Sequence, residues 1–247
     1  MALRNMKTPD LSIVIPAYNE SKKIGNDICD AAHFLKTHRL IGEIIIVDDG
    51  SCDNTAETAS SCKIDKDILL RVIRYSKHRG KGYAVRMGMT WTLGKIILFV
   101  DSGSCTPYTD ILRGIKLINK GKCDIAHASR NLPESVICIP KSLSRRVSSW
   151  LFLAGFRKLF PILKELTDTQ VGLKIYRGDI GRELYTLSKL DGFLFDIEII
   201  LRAAKAGYRI CEFPITWSSD PDSRLSLCKM PVSLFRELII LKRNRIV

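Results

Sequence analysis

Three carboxylate positions and one basic loop carry most of the chemistry available in this sequence. Asp101 follows the unbroken apolar run Ile96-Ile97-Leu98-Phe99-Val100 and precedes Ser102, Gly103, Ser104, Cys105, Thr106 and Pro107. Asp48 and Asp49 follow Ile44-Ile45-Ile46-Val47 in the same way, ahead of Gly50-Ser51. Between them in the chain lies the loop Ser76-Lys77-His78-Arg79-Gly80-Lys81-Gly82. Carboxylates can accept hydrogen bonds from ribose hydroxyls or a base N–H, or hold a cation. A loop rich in glycine and lysine offers backbone N–H groups and positive charge to phosphates. The combination suits a sugar nucleotide. Each part also has a plainer reading: Asp101 can cap the next helix, Asp48-Asp49 can form a capping turn, and the loop can be a solvated basic turn. What favours a site is their recurrence at successive strand ends.

The elements that must position these groups read as alternating strands and helices. Leu11–Pro16 is a first buried strand, turning out through Ala17-Tyr18-Asn19-Glu20. Ile24, Ile28, Ala31, Ala32 and Leu35 fall at helical spacing between Ser21, a fitting N-cap, and Gly42. Glu43–Val47 is a second strand, and Asp53 or Asn54 can cap a helix through Ala56 and Ala59. Leu69–Arg74 is a third strand, Tyr83–Trp91 a helix, and the strand before Asp101 a fourth. Short apolar runs linked this way predict an α/β fold: a mainly parallel sheet with helices on both faces. Ligands of such sheets bind beyond the carboxyl ends of the strands.

The second half is less regular. Lys122–Arg130 reads as a strand ending in a polar turn, and Pro133–Pro140 as an irregular loop. Ser142–Leu163 is amphipathic, with Trp150, Phe152, Phe156 and Phe160 beside Arg145, Arg146, Arg157 and Lys158. That pattern suits a membrane surface, or a helix packed on the core with its basic face in water. Asp168 is a candidate for contacting or deprotonating an acceptor. Asp196 opens a helix that Gly207 ends, and Tyr208–Trp217 reads as a closing strand. Arg224 lies in a polar loop from which it could reach a phosphate, and Met230–Val247 is a basic, apolar, helical tail.

The bulk composition frames these readings. The 247 residues are 46% hydrophobic, enough for one large α/β domain, and carry a formal charge of +13. The charge favours an anionic partner. Nucleic acid is disfavoured because the basic residues are spread along the chain without a DNA- or RNA-binding motif. The eight cysteines show no CxxC pair and no zinc-ligand spacing, as expected of reduced thiols. The N-terminus shows no signal-peptide pattern, and no run of about 18 uncharged apolar residues predicts a membrane span. The expected location is cytoplasmic, with peripheral attachment to the cytoplasmic face of a membrane.

Taken in order, the motifs resemble those of family 2 glycosyltransferases of the GT-A fold, nearest to the enzymes that make polyprenyl- or dolichyl-phosphate sugars. The matching residues are Ser12–Glu20, Ile46–Ser51 with Asp53 and Thr55, Arg79-Gly80-Lys81-Gly82, Asp101, Ser129-Arg130, and Asp168-Thr169-Gln170 with Gly172-Leu173-Lys174. The resemblance spans roughly residues 10 to 220 of one domain covering 1–247: a nucleotide-binding half at about 10–105, an acceptor half at about 106–220, and a basic tail at 221–247. It implies inverting transfer of a hexose from a nucleotide sugar (UDP-glucose or GDP-mannose type) to a lipid phosphate, at an anionic membrane surface. UDP-glucose is favoured by Asp168-Thr169-Gln170.

The resemblance also implies roles. Pro16, Tyr18, Glu20, Asp48, Asp49, Lys81 and Asp101 serve the nucleotide. Arg130, Arg145, Ser149, Gln170, Lys174 and Arg224 serve the acceptor or its phosphate. Asp101 and Asp168 act in catalysis, and Asp101 holds a divalent cation, Mg²⁺ or Mn²⁺. In the family the aspartate motif reads Asp-x-Asp; here Gly103 takes the second position, and Cys105 stands where some relatives place a glutamine. The alternative implied by that gap is a nucleotide-sugar-binding protein of the same fold with little or no transferase activity. On the sequence alone, an aspartate at position 103 would be expected to lower the metal requirement.

Overall fold

The computed structural model describes residues 7–103, 105–140, 143, 147, 154–219 and 232–243. In chain order the elements are β1 (Leu11–Ala17), α1 (Ile24–Thr37), β2 (Gly42–Asp48), α2 (Thr55–Ser61), β3 (Leu69–Arg74), α3 (Lys81–Thr90), β4 (Ile96–Val100), α4 (Tyr108–Asn119), β5 (Ile125–Ser129), β6 (Val136–Ile139), a 3₁₀ turn (Pro161–Glu165), β7 (Leu173–Arg177), α5 (Gly178–Leu187), α6 (Phe195–Lys205), β8 (Ile210–Pro214), β9 (Thr216–Ser218) and α7 (Val232–Arg243). They form two compact units. The first takes the chain up to residue 104 and adds Gly172–Leu187; the second takes Cys105–Val171 and the chain from Ser188 onward. Residues 172–187, read as part of the acceptor half, belong instead to the first unit.

In the first unit the strand order is β3-β2-β1-β4-β7. β1 pairs parallel with β2 and β4, β2 with β3 in the same sense, and β7 closes the edge antiparallel to β4. β1 and β2 are buried along their whole length because helices cover both faces. On one face Gly88 of α3 sits against Val14 and Val47; on the other, Leu35 of α1 fills the space a Gly42 side chain would need. Val14 and Val47 lie on the face opposite Gly42, as alternation along paired strands requires.

The ladder between β1 and β4 stops at Val14–Phe99. Pro16, two residues beyond, therefore sits in a central strand where one neighbour has already ended, and its missing N–H is tolerated. Because β2 and β4 lie on opposite sides of β1, a crevice opens between the carboxyl ends of β1 and β4, the place where doubly wound sheets bind ligands.

The second unit pairs β5 with β8 in parallel, and β6 with β9. Its core includes Ile125, Ala128, Phe156, Phe160, Ile197 and Phe213. Residues 154–159 are helical and end at the 3₁₀ turn that Pro161 begins. Phe156 and Phe160 are buried, so this part of the amphipathic stretch gives its aromatic face to the core.

Several boundaries differ from the sequence reading. Ser21 does not cap α1; the helix starts at Ile24, and the Ser21 N–H donates to Asp53. Asp101 caps no helix, since α4 begins after Pro107. The Pro133–Pro140 loop contains β6, whose four residues are all exposed and so show no alternation to read. The closing strand is broken between β8 and β9 after Pro214, which has no N–H to continue a ladder. β7 and α5 were not anticipated. Among the described residues no helix is long and apolar enough to cross a membrane.

Candidate active site

In the first unit, the turn leaving β1 is latched to the turn leaving β2. Asn19 adopts a left-handed conformation (φ 53°) that asparagine tolerates. Its N–H donates to Ser51 Oγ at 2.8 Å, its side-chain oxygen accepts the Cys52 N–H at 2.8 Å, and the Glu20 N–H donates to Thr55 Oγ1 at 2.8 Å. Pro16, Tyr18 and Glu20 are thereby fixed at the rim, Pro16 buried and the other two half-buried.

Asp48 and Asp49 turn inward, toward protein. Asp48 is fully buried, accepts the Ser51 N–H at 3.0 Å, and has Arg74 Nε 3.4 Å from its other oxygen. Asp49 is 3% exposed. It accepts the Tyr75 hydroxyl at 2.8 Å, the Arg79 N–H at 2.8 Å and the Gly80 N–H at 2.9 Å, with His78 Nδ1 at 2.9 Å. A carboxylate so fully occupied holds the basic loop in place; it has little capacity left for a nucleoside. Burial, and then the bond to Asp49, push the Tyr75 hydroxyl far above its usual range, keeping it a donor. The His78 ring stacks on Tyr18 with centroids 4.1 Å apart, and the Arg79 guanidinium lies 3.5 Å above the Tyr83 ring. Gly80 (φ 113°) makes the bend that starts α3 with Lys81.

Lys81 and Asp101 meet. The ammonium group is 2.8 Å from each carboxylate oxygen. Only the Oδ2 contact is aligned as a hydrogen bond, and Oδ1 is held by charge alone. The Asp101 N–H donates to the Gly172 carbonyl at 2.8 Å, and a Cβ on Gly172 would overlap the Asp101 carboxylate. The next residues are anchored by a buried carboxylate of α1: Ser102 Oγ donates to Asp27 at 2.5 Å, and the Gly103 N–H lies 3.1 Å from both its oxygens. Lys174, expected to serve the acceptor, lies in this first unit on β7, 1% exposed, with Nζ 5.7 Å from the Phe99 ring centroid.

This donor set bears on a divalent cation. Among the described residues no group of three or more His, Cys, Asp or Glu side chains is arranged to hold a metal. Asp101 alone fits a cation carried in by nucleotide phosphates, which needs only one or two protein carboxylates. It does not amount to a protein cage.

In the second unit, Arg130 and Asp168 form a forked pair: Nε to Oδ2 at 2.6 Å and Nη2 to Oδ1 at 2.9 Å. The Gln170 N–H adds a bond at 3.1 Å to Asp168. Behind them Glu212 of β8 accepts the Thr167 and Asp168 N–H groups at 2.8 and 2.9 Å, which sets the Thr167-Asp168 turn. The Trp217 ring lies 5.1 Å from the Arg130 guanidinium. Burial would raise the Asp168 pKa, but the charge and hydrogen bonds of Arg130 outweigh it and hold the group down at about 2. So acidic a carboxyl is a poor proton acceptor; of the two roles expected for Asp168, contacting or deprotonating the acceptor, this speaks against the second. Gln170 is half-buried beside this pair. Arg145, Ser149 and Arg224 lie outside the described residues.

Sequence reading missed Asp27, Gly172 as the neighbour of Asp101, Tyr75, Glu212 and Trp217. Asp27 alone left a signal, an acid on the apolar stripe of α1.

The chain is similar to known proteins. Residues 12–184 match the family described as glycosyl transferase family 2. Dolichyl-phosphate beta-glucosyltransferase of Saccharomyces cerevisiae is 32% identical over 94% of this chain and 74% of its own length. The human protein of that name is 30% identical over 88% and 70%. Among solved structures, glucosyl-3-phosphoglycerate synthase of Mycobacterium tuberculosis, in complex with Mn²⁺, UDP-glucose and phosphoglyceric acid, superposes with a TM-score of 0.70 at 17% identity over 95% of this chain and 79% of that one. Mannosyl-3-phosphoglycerate synthase of Rubrobacter xylanophilus gives 0.72 at 19% over 96% and 75%. At those identities the structures speak for the fold alone, the GT-A fold expected from sequence. The match over most of the sheet-forming sequence, with relatives alike along most of both chains, places this chain in glycosyl transferase family 2.

Proposed function

We propose that this family 2 glycosyltransferase moves a hexose, with glucose the first candidate, from a uridine or guanosine diphosphate sugar to dolichyl phosphate or a similar polyprenyl phosphate. The observation that carries the donor side is the Lys81–Asp101 pair at the carboxyl end of β4, beside the crevice at β1. The names of the relatives carry the acceptor. In this reading an oxygen of the lipid phosphate attacks the anomeric carbon as the bond to the nucleotide β-phosphate breaks, with inversion, and the nucleoside diphosphate leaves. The attacking oxygen is already anionic and needs no base, in keeping with the low pKa of Asp168.

The turn at Pro16–Glu20 would bound the nucleoside, Lys81 would meet the diphosphate, and Asp101 would hold its cation. A divalent cation, Mg²⁺ or Mn²⁺, would offset charge developing on the leaving diphosphate. Arg130, set by Asp168, is the candidate for the acceptor phosphate, with Gln170 beside it. Arg145, Ser149 and Arg224 join it on sequence grounds alone. The placement of Lys174 under Phe99 suits it to support the donor loop.

The membrane partner belongs to this proposal too. Val136, Ile137 and Ile139 of β6 are 56%, 40% and 54% exposed, and Leu143 and Val147 are exposed one helical turn apart. Basic residues Lys141, Arg145 and Arg146 accompany them in sequence. Apolar side chains among positive charge suit an anionic bilayer surface.

A second reading, a nucleotide-sugar binder without transfer, is favoured by Gly103 and the single carboxylate of the Asp101 turn. Incubation with dolichyl phosphate and each nucleotide sugar, followed by mass spectrometry of the lipid extract, separates the two. A hexosyl lipid phosphate supports transfer; nucleotide binding without product supports the second reading.

A further inference from the structure

Asp27 occupies a position where α1 should be apolar. Ile24, Asp27, Ile28 and Ala31 all face inward, and Asp27 is 3% exposed. A buried carboxylate is costly unless hydrogen bonds or charges satisfy it, so its partners explain its presence. Those partners include the two residues that follow Asp101: the Ser102 hydroxyl at 2.5 Å and the Gly103 N–H, 3.1 Å from each oxygen. The turn they form is bare of acid. Gly103 has φ 101°, a backbone that side-chain-bearing residues rarely adopt, so the loop is shaped around a glycine there. On its other side, Asp101 is fixed by the Gly172 carbonyl.

We propose that Asp27 is a positioning residue for sugar transfer. From helix α1 it clamps the Ser102-Gly103 turn, so that the one carboxylate of that turn, Asp101, is held in line with the diphosphate. The clamp acts through hydrogen bonds and makes no contact with substrate. This inference rests on the donor-site reading above.

The experiment compares Asp27→Leu, Asp27→Asn and Ser102→Ala with the wild type. It measures melting temperature, UDP affinity by calorimetry, and kcat and KM for hexosyl-lipid formation. Asp27→Leu leaves the Ser102 hydroxyl and the Gly103 N–H without their acceptor, so it is expected to melt a few degrees below the wild type while remaining folded. Its kcat should fall about 100-fold, the scale of a displaced catalytic group, and its UDP affinity should fall severalfold. Asp27→Asn keeps an acceptor for the Gly103 N–H and should recover most of the lost rate. Ser102→Ala removes one bond of the clamp and should lower kcat about tenfold, with only a small drop in melting temperature.

Wild-type kcat in folded Asp27→Leu overturns the proposal. So does a folded Asp27→Asn as slow as the leucine variant, because charge rather than clamping would then be needed. If Asp27→Leu does not fold, Ser102→Ala decides: a slower enzyme supports the clamp, and an unchanged one overturns it. A wild type that neither binds UDP nor transfers sugar would instead sink the donor-site reading itself.

Discussion

The ammonium group of Lys81 lies 2.8 Å from both oxygens of Asp101, so the only acid between residues 101 and 107 is neutralised by the first residue of α3. A diphosphate arriving with its own cation can take over both halves of that pair, the cation going to Asp101 and the lysine to phosphate. Lys81→Met should therefore weaken UDP binding about tenfold, the scale of one charge-assisted hydrogen bond. Lys81→Arg should keep most of the affinity. Calorimetry checks both, and a methionine variant that binds as tightly as the wild type would remove Lys81 from the diphosphate site.

Gly172 gives a second prediction. Its missing side chain makes room for the Asp101 carboxylate. Gly172→Ala should push that carboxylate aside and cut sugar transfer about 100-fold, with far less effect on the melting temperature. Transfer rates and thermal unfolding measured on the same preparation test this.

Gly103 gives a third prediction, which differs from the one read from sequence. An aspartate at that position, read from sequence as completing a metal pair, would have to adopt φ 101°. Strain of that kind costs on the order of 1–3 kcal/mol. Gly103→Asp is thus expected to unfold more easily and to show no lower Mn²⁺ requirement. Half-maximal activity at a lower Mn²⁺ concentration, with the melting temperature unchanged, would contradict this.

The Arg130–Asp168 pair sets a pH dependence. Asp168 titrates at about 2 when folded, against an ordinary 3.8. The folded state thus holds that proton more weakly than the unfolded chain. The resulting stability is fully present above about pH 4 and is lost as pH falls toward 2. That difference in pKa corresponds to roughly 2–3 kcal/mol. Urea unfolding between pH 5 and pH 2.5 should show that loss in the wild type. Asp168→Asn should start less stable by about 3 kcal/mol, because Arg130 loses its partner, and change less with pH. Equal slopes for the two proteins would refute the assignment.

The first unit was legible in sequence because its signals are local. β1 to β4 are short apolar runs bounded by turn residues, and Asp48-Asp49 and Asp101 stand at the ends of two of them, β2 and β4. What these acids do was not legible, because their partners are distant in the chain. Asp49 is occupied by residues 75–80, and Asp101 is met by Lys81 and Gly172. β7 escaped notice because it returns antiparallel from far along the chain, and β6 because all its residues are exposed. Asp168, a candidate for contacting or deprotonating the acceptor, is paired with Arg130, 38 residues away in the chain, which no local pattern shows.

Transfer of labelled glucose from UDP-glucose to dolichyl phosphate, by the wild type and by Asp101→Asn with Mn²⁺ or Mg²⁺ present, tests the central claim most directly. The account predicts organic-extractable label from the wild type, and a loss of at least about 100-fold in a variant that melts like it. No label from the wild type with this or any other hexose nucleotide would contradict the account, as would an asparagine variant that transfers sugar at the wild-type rate.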